Sequence, residues 1–565
     1  MPMKTIFSNR IYAKDSEEYA VSLIEDDILL ASKILHTTYD TIFNMYYLGF
    51  KTPNDISLHK YISAKFPDVG TYYLNSVLPE ARGIFDSQRA LISEHLDEKK
   101  AKLKTIENKI KKEEARLANF EIVKASFIAR SKTIKNGQKP HKFKTYSGSN
   151  IYEDKNNPFG DNHLLIRRGI GKKAKVEPIG FTEAEFYNQE RIRRTKSKLG
   201  NLHFRRNRLL DEIEILEKQL SGEIAPKKVC FGSRDFFKTK DTTEINHNDW
   251  KEQFDLKRNH NMFMSGRNDA VAGNWAIKYD PDKKLITMKT LNLKKTIVFS
   301  DVEFPYSGDE LASEIKANKR PISYRLVKKV DKENQVYYII QATFTLPEKE
   351  LLANLSNGVI AIDINPDGIA GVDIDDKGRL AKSDFYSFDL RGKTTNQVTD
   401  ILNEAARVIV AACVGTGKPL VMEKLDFKAK KNALMYEDKA LKHMLTSFAY
   451  SHIKNAIHSH AYKKGVAVVE VDPAFTSLLG KIIYMRPLRV PIHVAAALVI
   501  GRRAMGFDEK IPRVYQNIKG LDKCKNEYQQ YALINKQTKG IPNNCFYKKI
   551  SDFGQFRKDN KVKFA

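Results

Sequence analysis

Residues 358–378 read GVIAIDINPDGIAGVDIDDKG, and no other stretch restricts the fold of this chain so tightly. Two apolar runs, 359–362 and 369–372, are rich in β-branched residues. Asn365, Pro366, Asp367 and Gly368 break them apart, and a second turn follows at Asp375, Asp376, Lys377 and Gly378. Such runs, bounded by Pro, Gly and Asp, predict two antiparallel strands. Asp363 interrupts the first run just where a buried strand emerges. A carboxylate there costs desolvation unless it is paired or binds a cation. Asp363 therefore reads as the first metal ligand of a nuclease, against the plainer alternative of a turn-capping aspartate.

The order of elements after this hairpin is informative. A third strand (FYSFDL) precedes a helix over about 394–413, and KPLVMEKLDF then gives a strand ending in Glu423. A helix over about 445–463, a fifth strand (GVAVVEVDPAF) and a last helix over about 492–505 complete the run. Three antiparallel strands followed by alternating helices and strands is the ribonuclease H order. In that arrangement the strands ending in Asp363 and Glu423 lie side by side, so both carboxylates converge. Paired acids at such a place hold two divalent cations, one activating water and one stabilising the leaving oxygen of a phosphodiester. Mg²⁺ (or Mn²⁺) suits this role because it takes oxygen ligands and keeps waters for the substrate. Read singly, Glu423 is a salt-bridged surface acid; the joint placement favours the metal reading. Asp367, Asp373, Asp375 and Asp376 are assigned to the hairpin turns.

At 565 residues the chain holds several domains, one per ~150 residues being the usual prior. Its net charge of +27 points to a polyanionic partner, since phosphate neutralisation by Lys and Arg drives association through counterion release. Nucleic acid comes before an anionic membrane. The four cysteines are scattered without a CxxC pair, which excludes a disulfide framework and a zinc ribbon, so no zinc is expected. The first residues lack an apolar signal core and no apolar stretch is long enough to span a bilayer, so the expected location is cytoplasmic.

Upstream of the hairpin, residues 1–19 supply a first β-strand, and residues 20–225 are read as a helical lobe with a basic insertion. The insertion carries Lys142, Lys144, Arg167, Arg168, Lys172 and Lys173, with Phe143, Tyr146 and Tyr152 placed to stack on bases. A charged linker is the bland reading of the same composition. Arg191, Arg193, Arg194, Arg205 and Arg206 give the helix over 182–220 a cationic first half suited to a phosphate backbone. Short alternating segments over 226–352 predict an antiparallel β wedge or barrel, which the isolated first strand completes. Residues 353–506 form the nuclease-like domain, and 507–565 a basic tail. Lys428, Lys430 and Lys431, after Glu423, either hold a strand near the metals or belong to a solvated loop.

The ordered motifs GVIAIDINPDG, LVMEKLDFK, VVEVDPAFTS and HVAAALVIGRR resemble the RuvC motifs of the TnpB (OrfB) proteins of bacterial insertion sequences, over about residues 355–506. These are compact RNA-guided DNA endonucleases related to type V CRISPR effectors. The resemblance implies a multidomain α+β protein: a ribonuclease H-like (RuvC) nuclease domain, an antiparallel β wedge and a helical recognition lobe. It also implies a guide RNA of the omega-RNA type, a DNA target opened beside a short flanking motif, RuvC cleavage, and a bacterial, nucleoid-associated setting. Two departures matter. Thr476 and Ser477 lead to His493 with no cysteine between them, so the family's zinc ribbon is missing. His493 also stands where the family presents its third acid. An imidazole ligates a cation but favours softer ions than Mg²⁺. It also serves as a general base, a helix cap or a phosphate contact. Asp472 is the alternative third acid.

Three functions therefore stay open: an RNA-guided DNA endonuclease, a guided DNA binder whose cutting is weak or lost and which acts as a roadblock or repressor, and a guide-independent ribonuclease H-like transposase or resolvase. Guided binding survives loss of the metal site, because it uses heteroduplex shape and backbone contacts.

Overall fold

The structure, a computed structural model, describes residues 3–15, 18–137, 142–146, 149–154, 164–168, 175–241, 246–346, 350–365, 367–390, 392–424, 447–512, 515, 518 and 520–538. Lys172, Lys173, Lys428, Lys430 and Lys431 lie outside the described residues, as does the basic tail beyond 538.

In chain order the strands are β1 (Met3–Phe7), β2 (Ile11–Tyr12), β3 (Ile151–Glu153), β4 (Leu164–Arg168), β5 (Lys175–Ile179), β6 (Asn261–Met264), β7 (Ile277–Asp280), β8 (Leu285–Lys289), β9 (Thr296–Phe299), β10 (Ser323–Val330), β11 (Val336–Thr345), β12 (Val359–Asn365), β13 (Gly368–Ile374), β14 (Leu380–Ser387), β15 (Leu420–Glu423) and β16 (Val468–Val471). The helices are α1 (Glu18–Tyr47), α2 (Leu58–Lys65), α3 (Thr71–Lys135), α4 (Phe181–Ser221), α5 (Arg234–Lys238), α6 (His247–Arg258), α7 (Gly308–Ala317), α8 (Thr395–Thr416), α9 (Ser447–Lys464), α10 (Thr476–Leu479), α11 (Ile492–Ala504) and α12 (Glu527–Thr538). The chain is a mixed α/β, multidomain protein that divides into two compact units, residues 1–111 with 199–348 and residues 112–198 with 349–565.

The first unit holds two open antiparallel sheets, one ordered β1-β11-β10-β6 with β2 also on β11, the other β7-β8-β9. The expected single N-terminal strand is two short ones, and Ser8 between them exchanges hydrogen bonds with Ile340. Nor is there a closed barrel among the described residues. Along β11, Tyr338, Ile340, Ala342 and Phe344 are buried while Ile339, Gln341, Thr343 and Thr345 are only partly covered. A sheet that buries one face this way needs a cover on that side and no closure. Elsewhere in this unit α3 and α4 run antiparallel, Lys99 pairing with Glu212 and Lys100 with Glu217.

Buried in α1, Asp27 accepts a hydrogen bond from the Leu291 N–H at 3.1 Å. Desolvation outweighs that bond and pushes its carboxyl up to about 6. A carboxyl raised in this way contributes its full stability below the unfolded value near 4 and loses it as pH climbs through about 6. Asp27→Asn keeps an acceptor for Leu291 without the charge. It is expected to stabilise this unit by about 3 kcal/mol at pH 7 and by well under ~1 kcal/mol at pH 4, measured by denaturant unfolding at both pH values.

In the second unit, residues 112–198 form a tip in which β3, β4 and β5 pair in that order. Phe127 and Val123 of α3 meet Phe143, Ile151, Leu164, Ile166 and Ile179 in one core. Phe143, expected as a base-stacking residue, is instead core: it is 5% exposed and sits edge-on to Phe127 at 4.9 Å. Here α3 and α4 stay antiparallel through Glu113–Lys198 at 2.7 Å and a bond from Asn188 Nδ2 to the Phe120 carbonyl at 3.0 Å.

The C-terminal part of this unit is a five-stranded sheet ordered β14-β13-β12-β15-β16. β12, β13 and β14 are antiparallel neighbours, whereas β15 and β16 run parallel to β12. The β12 run is apolar throughout because both faces are covered. Ile360 and Ile362 pack on Leu402, Ile409 and Cys413 of α8 and Ile457 of α9, while Val359 and Ala361 pack on Val494, Ala497 and Ile500 of α11. Gly501 lets α11 lie close: a Cβ there would come within 2.8 Å of the Ala361 Cβ.

Candidate active site and nucleic-acid interface

The β12–β15 register places the two expected acids. Ile360 pairs with Leu420, Ala361 with Val421 and Ile362 with Met422, so Asp363 and Glu423 are the next residues along parallel neighbours. With side chains alternating along a strand, Asp363 follows Ala361 and Glu423 follows Val421 onto the α11 face. His493 lies in the first turn of α11, where Pro491 caps the helix without a side-chain bond. The fold thus carries all three expected residues toward one end of the sheet, by the same alternation that buries their apolar neighbours.

Asp363 is buried, at 7% exposure. One of its oxygens, Oδ2, lies 3.2 Å from His493 Nδ1 and accepts a 3.0 Å bond from Asn365 Nδ2, which also donates to the Asp363 carbonyl. The bond to Asp363 holds the His493 imidazolium above its ordinary value, partial burial opposes this, and the negative charges of Asp363 and Asp367 add to it. Stability gained from that pair is complete at acidic pH, below the ordinary histidine value, and fades as pH rises through the raised one. Glu423 is engaged differently: the buried Thr476 hydroxyl donates to its Oε1 at 2.5 Å. Asp472 takes no such position, its side chain accepting the Ala474 N–H at 3.0 Å to close its own turn.

Asn365 and Thr476 are partners that residue-type reasoning passed over. The signal for Asn365 was its spacing, two residues beyond Asp363 and so on the same face of the strand. For Thr476 it was the buried hydroxyl following the fifth strand, which needs an acceptor.

Two carboxylates are the oxygen donors a hard divalent cation takes, but the third residue brings nitrogen and already bonds one of them. Among the described residues no three His, Cys, Asp or Glu side chains are grouped to hold a metal ion. As they stand, these residues do not fit a two-cation centre.

The expected nucleic-acid contacts divide. Lys142, Lys144 and Arg168 are exposed, and Arg167 is partly covered on β4. Arg168 pairs with Glu183 at 3.0 Å, and Arg193 and Arg194 share Glu190 at 2.8 and 3.4 Å. Arg191 has no carboxylate partner among the described residues and lies over the Phe120 ring, 4.6 Å from its centroid. In the first unit, Arg205 is exposed and Arg206 partly covered, neither with an acidic partner among the described residues. No helix among the described residues is long and apolar enough to cross a membrane.

No protein-family model and no curated protein matches the chain. Solved structures similar to it include a cryo-EM structure of a Cas12f1–sgRNA–target DNA complex, at 10% identity and a TM-score of 0.32 over 88% of this chain and 98% of that one. A cryo-EM structure of a CRISPR-Cas12f ternary complex aligns at 9% identity and a TM-score of 0.19 over 91% of this chain and 100% of that one.

Proposed function

We propose that the chain is an RNA-guided DNA-binding protein built on a ribonuclease H-like, RuvC-type domain, and that guided binding is its principal activity. The sheet order β14-β13-β12-β15-β16, with acids at the ends of two adjacent parallel strands, supports the domain assignment. The motif resemblance to TnpB proteins supports a guide RNA and a target DNA as partners and an origin in an insertion sequence. The net charge of +27 supports a polyanionic partner of either kind. In such a protein the guide reads sequence by pairing, and the chain contributes backbone contacts that do not depend on the two acids.

The observation that carries this choice is the His493–Asp363 pair. A histidine ring bonded to one acid competes with any divalent cation for that carboxylate, so hydrolysis at this centre is held back. A second reading, an active endonuclease using Mg²⁺ or Mn²⁺, rests on the shared face of Asp363 and Glu423. Sequencing the RNA that co-purifies with the full chain tests the proposal. One discrete species is expected; a random sample of cellular RNA would favour a guide-independent nuclease or transposase. Asp363→Ala and Glu423→Ala are expected to leave guided binding within about twofold of the parent in a mobility-shift titration, since target contacts are made by the backbone-binding surfaces.

A further inference from the structure

The tip formed by residues 112–198 has a cleft that the assignments above leave unused. Its walls include Phe120 of α3, Tyr146, and Phe186, Tyr187, Arg191 and Arg194 of α4. Most cations around it are already neutralised within the tip. Arg116 and Lys198 share Glu113 at 2.9 and 2.7 Å, Arg168 holds Glu183, and Arg194 holds Glu190. Arg191 differs. Among the described residues it has no carboxylate partner, and its guanidinium sits over the rings of Phe120 and Tyr187, at 4.6 and 5.5 Å from their centroids. Beside it Phe186 is 67% exposed, with no ring contact to another aromatic among the described residues.

A phosphodiester backbone alone does not account for such a cleft, because three carboxylates line it. Left unmatched are an exposed ring and a cation held over aromatic rings, which is what a planar polar ring requires. We propose that this cleft takes an unpaired nucleobase, stacked on Phe186 and flanked by Arg191. The proposal rests on the nucleic-acid part of the function proposed above and adds to it single-strandedness at a defined place. Of the three rings expected to stack on bases, Phe143 is buried, Tyr146 lines this cleft and Tyr152 lies on β3.

The test uses the full chain with its co-purified RNA removed, and short RNA and DNA oligonucleotides carrying one 5-iodouracil, single-stranded or in a duplex. Irradiation is expected to give a crosslink from the single-stranded probe that maps by mass spectrometry to peptides within 181–198 or 142–152. The RNA and DNA arms show which strand supplies the base. Phe186→Ala is expected to lower that crosslink and weaken single-strand binding by roughly 5- to 100-fold, with duplex binding unchanged and Phe186→Trp restoring both. Since Phe186 is exposed, its truncation spares the core. Crosslinks that map only elsewhere, an equal loss for duplex and single strand, or no loss at all would each overturn the proposal. Because no guide is used, a protein without guided binding still gives a clear result here.

Discussion

His493→Asp is expected to raise Mg²⁺-dependent cleavage of a guide-matched plasmid on the order of 10- to 100-fold, the scale on which a rearranged partner changes a metal centre's activity. The substitution removes the imidazole ring that now bonds Asp363 Oδ2 and supplies an oxygen donor in its place. The position also suits an acid. His493 lies in the first turn of α11, where unpaired N–H groups and the helix dipole favour negative charge. A carboxylate there gains from the helix end, whereas the imidazole is held there by Asp363. Nicking and linearisation of supercoiled target, followed over time with Mg²⁺ and with Mn²⁺, measure the change. Asp363→Ala in the same background is expected to abolish the gained activity while guided binding persists. If His493→Asp cuts no faster than the parent, His493 is not what restrains the centre.

Glu509→Ala is expected to have the largest effect on stability, about 3–5 kcal/mol, since it strips one partner from a buried ion pair. Glu509 Oε1 accepts the Arg502 Nε–H at 2.8 Å, and its Oε2 accepts the Tyr484 hydroxyl at 2.5 Å. The Arg502 and Glu509 side chains are only 16% and 7% exposed. Arg502 also donates to the Gly378 carbonyl at 2.8 Å and lies over the Phe507 ring. Alanine at 509 leaves that partly covered guanidinium with a carbonyl but no counter-charge, and leaves the Tyr484 hydroxyl without its acceptor. Glu509→Gln, which keeps an acceptor for Tyr484, is expected to cost less. Thermal and denaturant unfolding of the full chain, followed by a probe in residues 349–538, gives both values. The same pair explains Arg502 at the end of α11 as a structural residue, and Arg503 likewise bonds the carbonyls of Asp472 and Ala474.

Much of the candidate site was legible because its residues break local patterns. A carboxylate ending an apolar β-branched run is costly, so Asp363 and Glu423 stood out, and the order of elements put their strands side by side. The partners that engage them were harder to see. Thr476 reaches Glu423 across 53 residues of chain, and no local periodicity encodes such a contact. His493 stood out by where it falls in a motif; that it bonds Asp363 depends on how close Gly501 and the alanines let α11 come. The antiparallel sheets of the first unit were legible as alternating strands, but whether they close depends on which strands pair, and among the described residues β7-β8-β9 pair only with one another. In the basic insertion, composition hid three short strands. Phe143 looked available for bases because its neighbours Lys142 and Lys144 are charged, yet strand and loop together turn it into the core against Phe127.

Sequence-matched DNA binding tests the central claim most directly. The full chain, purified with its own RNA, is titrated against a duplex matching that RNA beside randomised flanks and against a scrambled duplex, with and without RNase treatment. Guided binding predicts a tight shift for the matched duplex alone, abolished by RNase and kept by Asp363→Ala. Equal shifts for both duplexes, untouched by RNase, would contradict it and leave a basic protein that holds DNA by charge.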